Sequence, residues 1–455
     1  MRSGDRLTAE AVEEQVQKIL RSAGFARCVR MRRFLEYTVH ETLSGRGGLL
    51  KEYSIALNVY DKPPSFDPRF DSIIRVEAGR LRAKLRKYYE TDGREDAVRV
   101  FFPRCRYEPR FDPLEILPEP VAPESSPEAR RLYLKGLHFL AQYDAPSMEA
   151  ALRCFAEACS IAPTHHESLA GMAAAHASCC WLESVHPREG WAKSEHFSRR
   201  ALALEPRQAE AGAVLACQAA LFDRQWETAE RQFRAVLDLH ESSAAVHQMY
   251  GFFCLAPMGR LDEAEVALLR ACELAPASAI ARYQLGRILH FKRRFDLASE
   301  QFRRAIELQP RLALARWGLG ETAIQQGHWA EARRAFAAVQ QLSDIPRALE
   351  GLGRLAALTG KPEEAETLLG QLRQLASTRY VSPVGLSVIY TAMGRLDDAL
   401  DQLFAAAPQR AIRLTYVSVD PAFDALKTHD RFLPLLEQLR PQPEEGLGVS
   451  QARAS

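Results

Sequence analysis

The chain has 455 residues, 47% of them hydrophobic, with 60 Lys+Arg against 58 Asp+Glu for a formal net charge of +2. No apolar run reaches the roughly 18 residues a membrane helix needs, and no signal-peptide core follows Met1 to Arg6, so a cytoplasmic chain with no membrane partner is expected. The near-neutral total hides an asymmetry: residues 1–110 carry 23 Lys/Arg and 16 Asp/Glu, the remainder 37 and 42. A basic head on an acidic body predicts an anionic partner for the head, with self-contact to the body as a competing use.

The first element is a helix from a Thr8 cap to about Leu20, with Val12, Val16, Ile19 and Leu20 inward. A second runs from about Phe25 to Leu43, with Phe34, Leu35, Thr38 and Val39 inward, and Gly45 to Gly48 stop it. Arg27, Arg30, Arg32 and Arg33 make it basic, either for phosphate or for a solvated face. Pro63-Pro64 and Asp67-Pro68 break the chain before the next helix.

That helix, from about Asp71 to Tyr89, carries the strongest signal. Ile74, Ala78, Leu81, Leu85 and Tyr88 form one apolar stripe. Arg75, Arg82 and Arg86 flank the stripe on one side; Arg80, Lys84 and Lys87 flank it on the other. Opposite it lie the small residues Val76, Gly79 and Ala83. A narrow ridge between two cationic rows suits a DNA major groove; a solvated basic face is the plainer alternative. Glycine costs about 1 kcal/mol against alanine inside a helix, which makes sense where close approach has a use. A β-ribbon from Val98 to Tyr107 follows.

The order helix, turn, basic helix, ribbon resembles the winged helix-turn-helix of the OmpR/PhoB type. Val76-x-x-x-Arg80-Leu81-Arg82-x-x-Leu85 stands where that family has its recognition helix, and Val98–Tyr107 where it has the wing. The runs Arg32-Arg-Phe-Leu-Glu-Tyr, Leu50-Lys-Glu-Tyr-Ser-Ile and Pro64-Ser-Phe-Asp-Pro look like a bacterial group that joins this head to tetratricopeptide repeats. Arg104-Cys105-Arg106 occupies the wing turn where the family has glycine, and Glu77 stands where longer polar or basic side chains are common. The resemblance implies sequence-specific promoter binding. Arg80 and Arg82 are then expected to contact the major groove, Arg75, Lys84, Arg86 and Lys87 the phosphates, and Arg104 or Arg106 the minor groove.

Six prolines between Pro109 and Pro127 mark residues 108–127 as an extended linker. Beyond it the chain repeats. Pro163, Pro206, Glu241, Pro276, Pro310 and Asp344 fill one slot at spacings of 43, 35, 35, 34 and 34 residues, the period of the tetratricopeptide repeat. Leu285-Gly286, Ala298, Phe302, Ala305 and Pro310 make the clearest unit; Leu319-Gly320, Gly327, Ala332 and Phe336 repeat it. Small residues let paired helices approach while Phe and Leu fill the space between units. About seven or eight units are expected over 128–440, the first two distorted by longer inner loops, with a capping helix near Val419–Leu436 and a disordered tail over 441–455.

The groove of such a solenoid is lined by the first helix of each unit. Here that set includes Met249, Phe253, Tyr283, Arg287, Trp317, Glu321, Glu350 and Arg354, which either receive a protein or peptide partner or contact neighbouring repeats and the capping tail. The nine cysteines are scattered among small residues, as in reduced packing positions. His176 and Cys179 share a helix face, but no second pair completes a metal site, and no nucleotide, hydrolase or zinc motif is present. The expectation is therefore a mainly α protein, an N-terminal winged helix-turn-helix domain (1–107) followed by a tetratricopeptide-repeat α-solenoid. It is expected to be a DNA-binding regulator with no cofactor and no enzyme activity, its body binding protein or self-associating into a homo-oligomer. The alternative is a repeat scaffold whose head binds protein.

Overall fold

The computed structural model describes residues 8–22, 24–26, 28–68, 71, 73–93, 96–103, 107–113, 126–343 and 346–439. The chain divides into two compact units, 1–124 and 125–455.

The first unit holds α1 (Ala9–Arg21), α2 (Val29–Leu43), α3 (Glu52–Tyr60), α4 (Ile73–Glu90) and an antiparallel ribbon of β1 (Val98–Phe101) and β2 (Arg110–Pro113). Thr8 caps α1 as expected, its hydroxyl accepting from the Ala11 N–H. The inward residues expected of α1 and α2 are buried, and so is the whole Ile74–Tyr88 stripe of α4. Phe25 is buried too, but in a turn, so α2 begins four residues later than expected.

The ribbon differs from expectation. Its second strand lies at 110–113, inside the segment read as linker, with Val100 opposite Phe111 and Phe101 opposite Arg110. Pro109 and Pro113 bracket the strand, where a missing N–H costs least, and Phe111 packs on the core. The rest of the expected linker, residues 114–125, lies outside the described residues, as does the tail expected to be disordered, 441–455.

The second unit stacks eight antiparallel helix pairs, counted among the described residues. They are α5 (Pro127–Leu140) with α6 (Ala145–Ile161), α7 (His166–Trp181) with α8 (Pro187–Leu204), and α9 (Ala209–Leu221) with α10 (Trp226–Leu239). Next come α11 (Ala244–Met249), widening into a π-helical stretch over Tyr250–Leu255, with α12 (Leu261–Leu274), and α13 (Ala279–Phe291) with α14 (Phe295–Leu308). The last three are α15 (Ala313–Gln325) with α16 (Trp329–Leu342), α17 (Arg347–Leu358) with α18 (Pro362–Ala376), and α19 (Pro383–Ala392) with α20 (Leu396–Ala406). Two 3-10 turns, Ile412–Tyr416 and Pro421–Leu426, and α21 (Phe432–Leu439) follow. The early units are long because α6, α7 and α8 have 17, 16 and 18 residues where α13 to α18 have 12 to 15. Longer helices account for most of the stretched spacing, and a longer inner loop, 182–186 against 292–294 in the regular unit, adds to it.

Phenylalanines on the second helix of a pair are clasped between glycines of two successive first helices. Phe155 lies between Gly136 and Gly171, Phe302 between Gly286 and Gly318, and Phe336 between Gly320 and Gly351. A methyl group added at Gly286 or Gly318 would sit 2.6 Å from the Phe302 ring. Gly286→Ala is therefore expected to cost about 1–3 kcal/mol through overpacking. The midpoint of urea unfolding checks this; an unchanged midpoint would mean the ring has room to move.

Candidate functional site

On α4, the ridge and its flanks face outward as the helical period demands. Arg75, Val76, Gly79, Arg80, Ala83, Arg86 and Lys87 are exposed. Arg80 pairs with Glu77 at 2.6 Å. Arg75 reaches Glu52 at 3.4 Å and donates to the Pro68 carbonyl at 2.7 Å. Lys84 lies over the Phe25 ring at 5.7 Å.

Arg82 is placed differently from the groove contact expected of it. It is half-buried and donates to the Phe102 and Pro103 carbonyls, each at 3.3 Å, tying α4 to the end of β1. The Tyr89 hydroxyl adds a second tie, accepting from the Val100 N–H and donating to the Val98 carbonyl. Arg104, Cys105 and Arg106 lie outside the described residues. Nothing within 4 Å meets a methyl group built on Gly79. Gly79→Ala should therefore raise the unit's stability by about 0.5–1 kcal/mol, a gain that thermal unfolding would detect.

In the second unit, six of the eight residues expected to line the groove, Tyr283, Arg287, Trp317, Glu321, Glu350 and Arg354, are buried under the chain itself, while the buried Phe253 and the partly buried Met249 stand in the wall of a cavity. What covers the later part of the groove is the chain's own segment 407–426. Arg413 extends from it to Glu350 at 2.6 Å and Glu183 at 3.6 Å. Asp420 meets Arg287 at 2.9 Å. The Tyr416 ring packs against Trp181, Phe252 and Phe291, and its hydroxyl donates to the Phe252 carbonyl at 2.9 Å. The expected terminal cap is thus also an internal strap.

Around Trp317 four arginines meet four carboxylates. Arg287, Arg347 and Arg413 stack on its ring at 4.6, 5.2 and 5.6 Å, and Arg354 pairs with Glu321. Burial pushes the Glu321 and Glu350 carboxyls up and His290 well down. Burial would also raise Asp420, but Arg287, His290 and the Ala422 N–H hold it at about 2. Arg347 donates to the Trp181 carbonyl at 2.6 Å, so the solenoid winds far enough for α17 to meet α7.

Some of the turns between paired helices also reach this strap. In four of the turns a glycine takes the left-handed conformation: Gly259, Gly327, Gly360 and Gly394. Tyr143, Glu183, Arg224 and Arg293 adopt the same conformation, at a cost of about 1–2 kcal/mol each for a side chain. Three of these side chains reach the strap. Glu183 faces Arg413, Arg224 donates to the Ala407 carbonyl, and Arg293 binds the Val419 carbonyl and Asp424.

The part of the strap from Val419 on is foreseen as a cap, and contact of the groove residues with it as an alternative; Arg413 and Tyr416 are not, although one signal is there. Between Ile412 and Phe423 the only charged residues are Arg413 and Asp420. Isolated charges in an apolar run are expected to be buried and paired.

Past Ile412 the inner face opens into a cavity of about 290 Å³, walled by residues that include Leu137, Leu140, Trp181, Val214, Met249 and Phe253. Nearby, His176 stacks flat on Phe197 at 5.7 Å and burial lowers it to about 4, while burial raises the Cys179 and Cys180 thiols. This histidine and these cysteines are packing residues, and no metal-binding cluster occurs among the described residues. Among the same residues no helix is long and apolar enough to cross a membrane.

The tetratricopeptide-repeat family model matches residues 255–311, 283–344 and 318–377, wholly within the second unit. The Protein O-mannosyl-transferase Tmtc2 of Drosophila melanogaster is 36% identical over 71 residues, 16% of this chain; the chain spans 8% of that protein. Among solved structures, the human IFIT1 dimer with m7Gppp-AAAA aligns at 16% identity over 90% of this chain and 96% of its own, with a TM-score of 0.42. Yeast Tom70 aligns at 16% identity over 95% and 88%, with a TM-score of 0.41. The pilF protein of Pseudomonas aeruginosa aligns at 22% identity over 45% and 92%, with a TM-score of 0.34. Such TM-scores carry no functional argument. The repeat-family match identifies residues 255–377 as tetratricopeptide repeats, and the helix pairs on either side of them in the second unit share the same paired-helix architecture.

Proposed function

We propose that this chain is a non-enzymatic binding protein whose repeat body holds a protein partner at the open end of its inner groove. The observation that carries this reading is the apolar cavity beyond Ile412, which the strap leaves unfilled while covering the charged part of the same face. Concave, mostly apolar sites with a few polar groups are the usual form of a binding site.

A more specific reading applies to the first unit: a winged helix-turn-helix that binds promoter DNA. The exposed face of α4 supports it, because Arg80, Arg86 and Lys87 border a ridge of Val76, Gly79 and Ala83 that leaves room for close approach. The ribbon braced to α4 by Arg82 and Tyr89 supports it as well.

The test is fluorescence anisotropy of the full chain with fragments of the gene's own upstream region, at several salt concentrations. Binding by this face should weaken linearly in log–log with salt and fall by at least tenfold in Arg80→Ala/Lys87→Ala. Weak binding indifferent to those changes would favour the scaffold whose head contacts protein.

A further inference from the structure

The cavity beyond Ile412 has a composition that selects its occupant. Its walls come mainly from α5, α7, α9 and α11, with Trp191 from α8 and Ile412 from the strap, and they are apolar or aromatic over most of their area. Two charged residues stand in them, Glu167 and Glu210, both acidic. Neighbouring cations do not cancel the pair. Arg130 stacks on the Tyr133 ring at 5.3 Å, which leaves one permanent positive charge beside two carboxylates. His165 and His166 lie 3.6 and 3.5 Å from Glu167, and burial lowers His165, disfavouring its charged form. The wall indoles Trp181 and Trp191 each keep a buried N–H without an acceptor among the described residues.

The cavity also continues a surface that already holds polypeptide. The strap lies along the inner face with Tyr416 among aromatic rings and Arg413 between two glutamates, and its Ile412 forms one wall of the cavity. The same pairing of apolar wall and acidic group recurs beyond Ile412, without the strap to satisfy it.

We propose that this cavity docks a protein segment bearing a bulky apolar anchor with a lysine or arginine beside it, the anchor filling the cavity and the cation facing Glu167 and Glu210. The volume, near the lower end of ligand sites at roughly 300–1,000 Å³, suits one or two large side chains rather than a folded domain. This inference rests on reading the body as a protein-docking scaffold.

The test uses the full chain and an array of dye-labelled ten-residue peptides in which a Leu or Phe anchor is followed by Lys, Arg, Ser or Glu. The tightest binders should carry the cation, with at least tenfold weaker binding when Glu replaces it. Glu167→Gln/Glu210→Gln should erase that preference while leaving the demand for an anchor. Ala174→Phe should fill the cavity and abolish binding; Leu137→Glu, at a wall position already 36% exposed, keeps the claim testable if Ala174→Phe fails to fold. Peptide binding that ignores these cavity variants, or that favours anionic peptides, would overturn the site while leaving the docking reading in place. An array with no binder at all would overturn both.

Discussion

Asp420→Ala should destabilise the repeat body by about 3–5 kcal/mol, because it strands the buried Arg287 guanidinium without its counter-charge. The Ala422 N–H would lose its acceptor as well. Pairing the change with Arg287→Met should recover part of the loss, since removing both charges is far cheaper than removing one. Urea unfolding followed by tryptophan fluorescence checks this, with Trp317 beside the ion pair as reporter. A double variant no better than the worse single one would show that packing, not charge, holds the strap at this point.

The same pair gives a pH signature. Asp420 is held at about 2 against an ordinary 3.8, so its contribution of about 2–3 kcal/mol is fully present above the ordinary value and is lost as pH falls toward 2. Glu321 and Glu350 are raised and act with the opposite sign, favouring the protonated fold at low pH. The comparison is therefore between wild type and Asp420→Asn. Their stability gap should narrow as pH drops from 5 to 3.

Tyr416→Ala is expected to cost about 3–5 kcal/mol, the usual range for deleting a buried aromatic side chain. Its ring meets Trp181, Phe252 and Phe291 and thereby joins α7, the π-helical stretch and α13 to the strap. Tyr416→Phe keeps the rings together and loses only the hydrogen bond to the Phe252 carbonyl, about 1 kcal/mol. Hydrogen exchange should show residues 407–426 opening in the alanine variant ahead of the outer helices. Equal exchange in the two variants would mean that the strap is held by its ion pairs alone. Loosening the strap would bare Arg287, Glu350 and Trp317, so its stability also sets how much of the groove faces a partner.

Helix faces, caps and repeats were legible in the sequence because they are local. The Ile74–Tyr88 stripe needs only a period of 3.6 residues to turn inward, and it does so at every predicted position. The glycine–phenylalanine clasp at Phe302 returns 34 residues on at Phe336 because successive pairs of helices solve the same packing problem. The inner-face residues could be chosen for the same reason, since a repeat register fixes which side of the first helix points inward.

Only the tertiary structure decided what those residues touch. Arg287 and Asp420 are 133 positions apart, Tyr416 and Phe252 164, and no periodicity links such partners. Their meeting depends on the solenoid winding until α17 reaches α7 and on the strap turning back inside it. Arg82 makes the same point on a smaller scale. Helical phase placed it at the border of the basic face, but the path of the ribbon drew it to two carbonyls just past β1. Sequence by itself thus determined the elements, their inward faces and the repeat, because these follow from interactions within a few turns of chain. Which side chains are spent on the protein's own strap, and which part of the groove stays open to a partner, came from contacts that exist only once the superhelix has closed around its C-terminal segment.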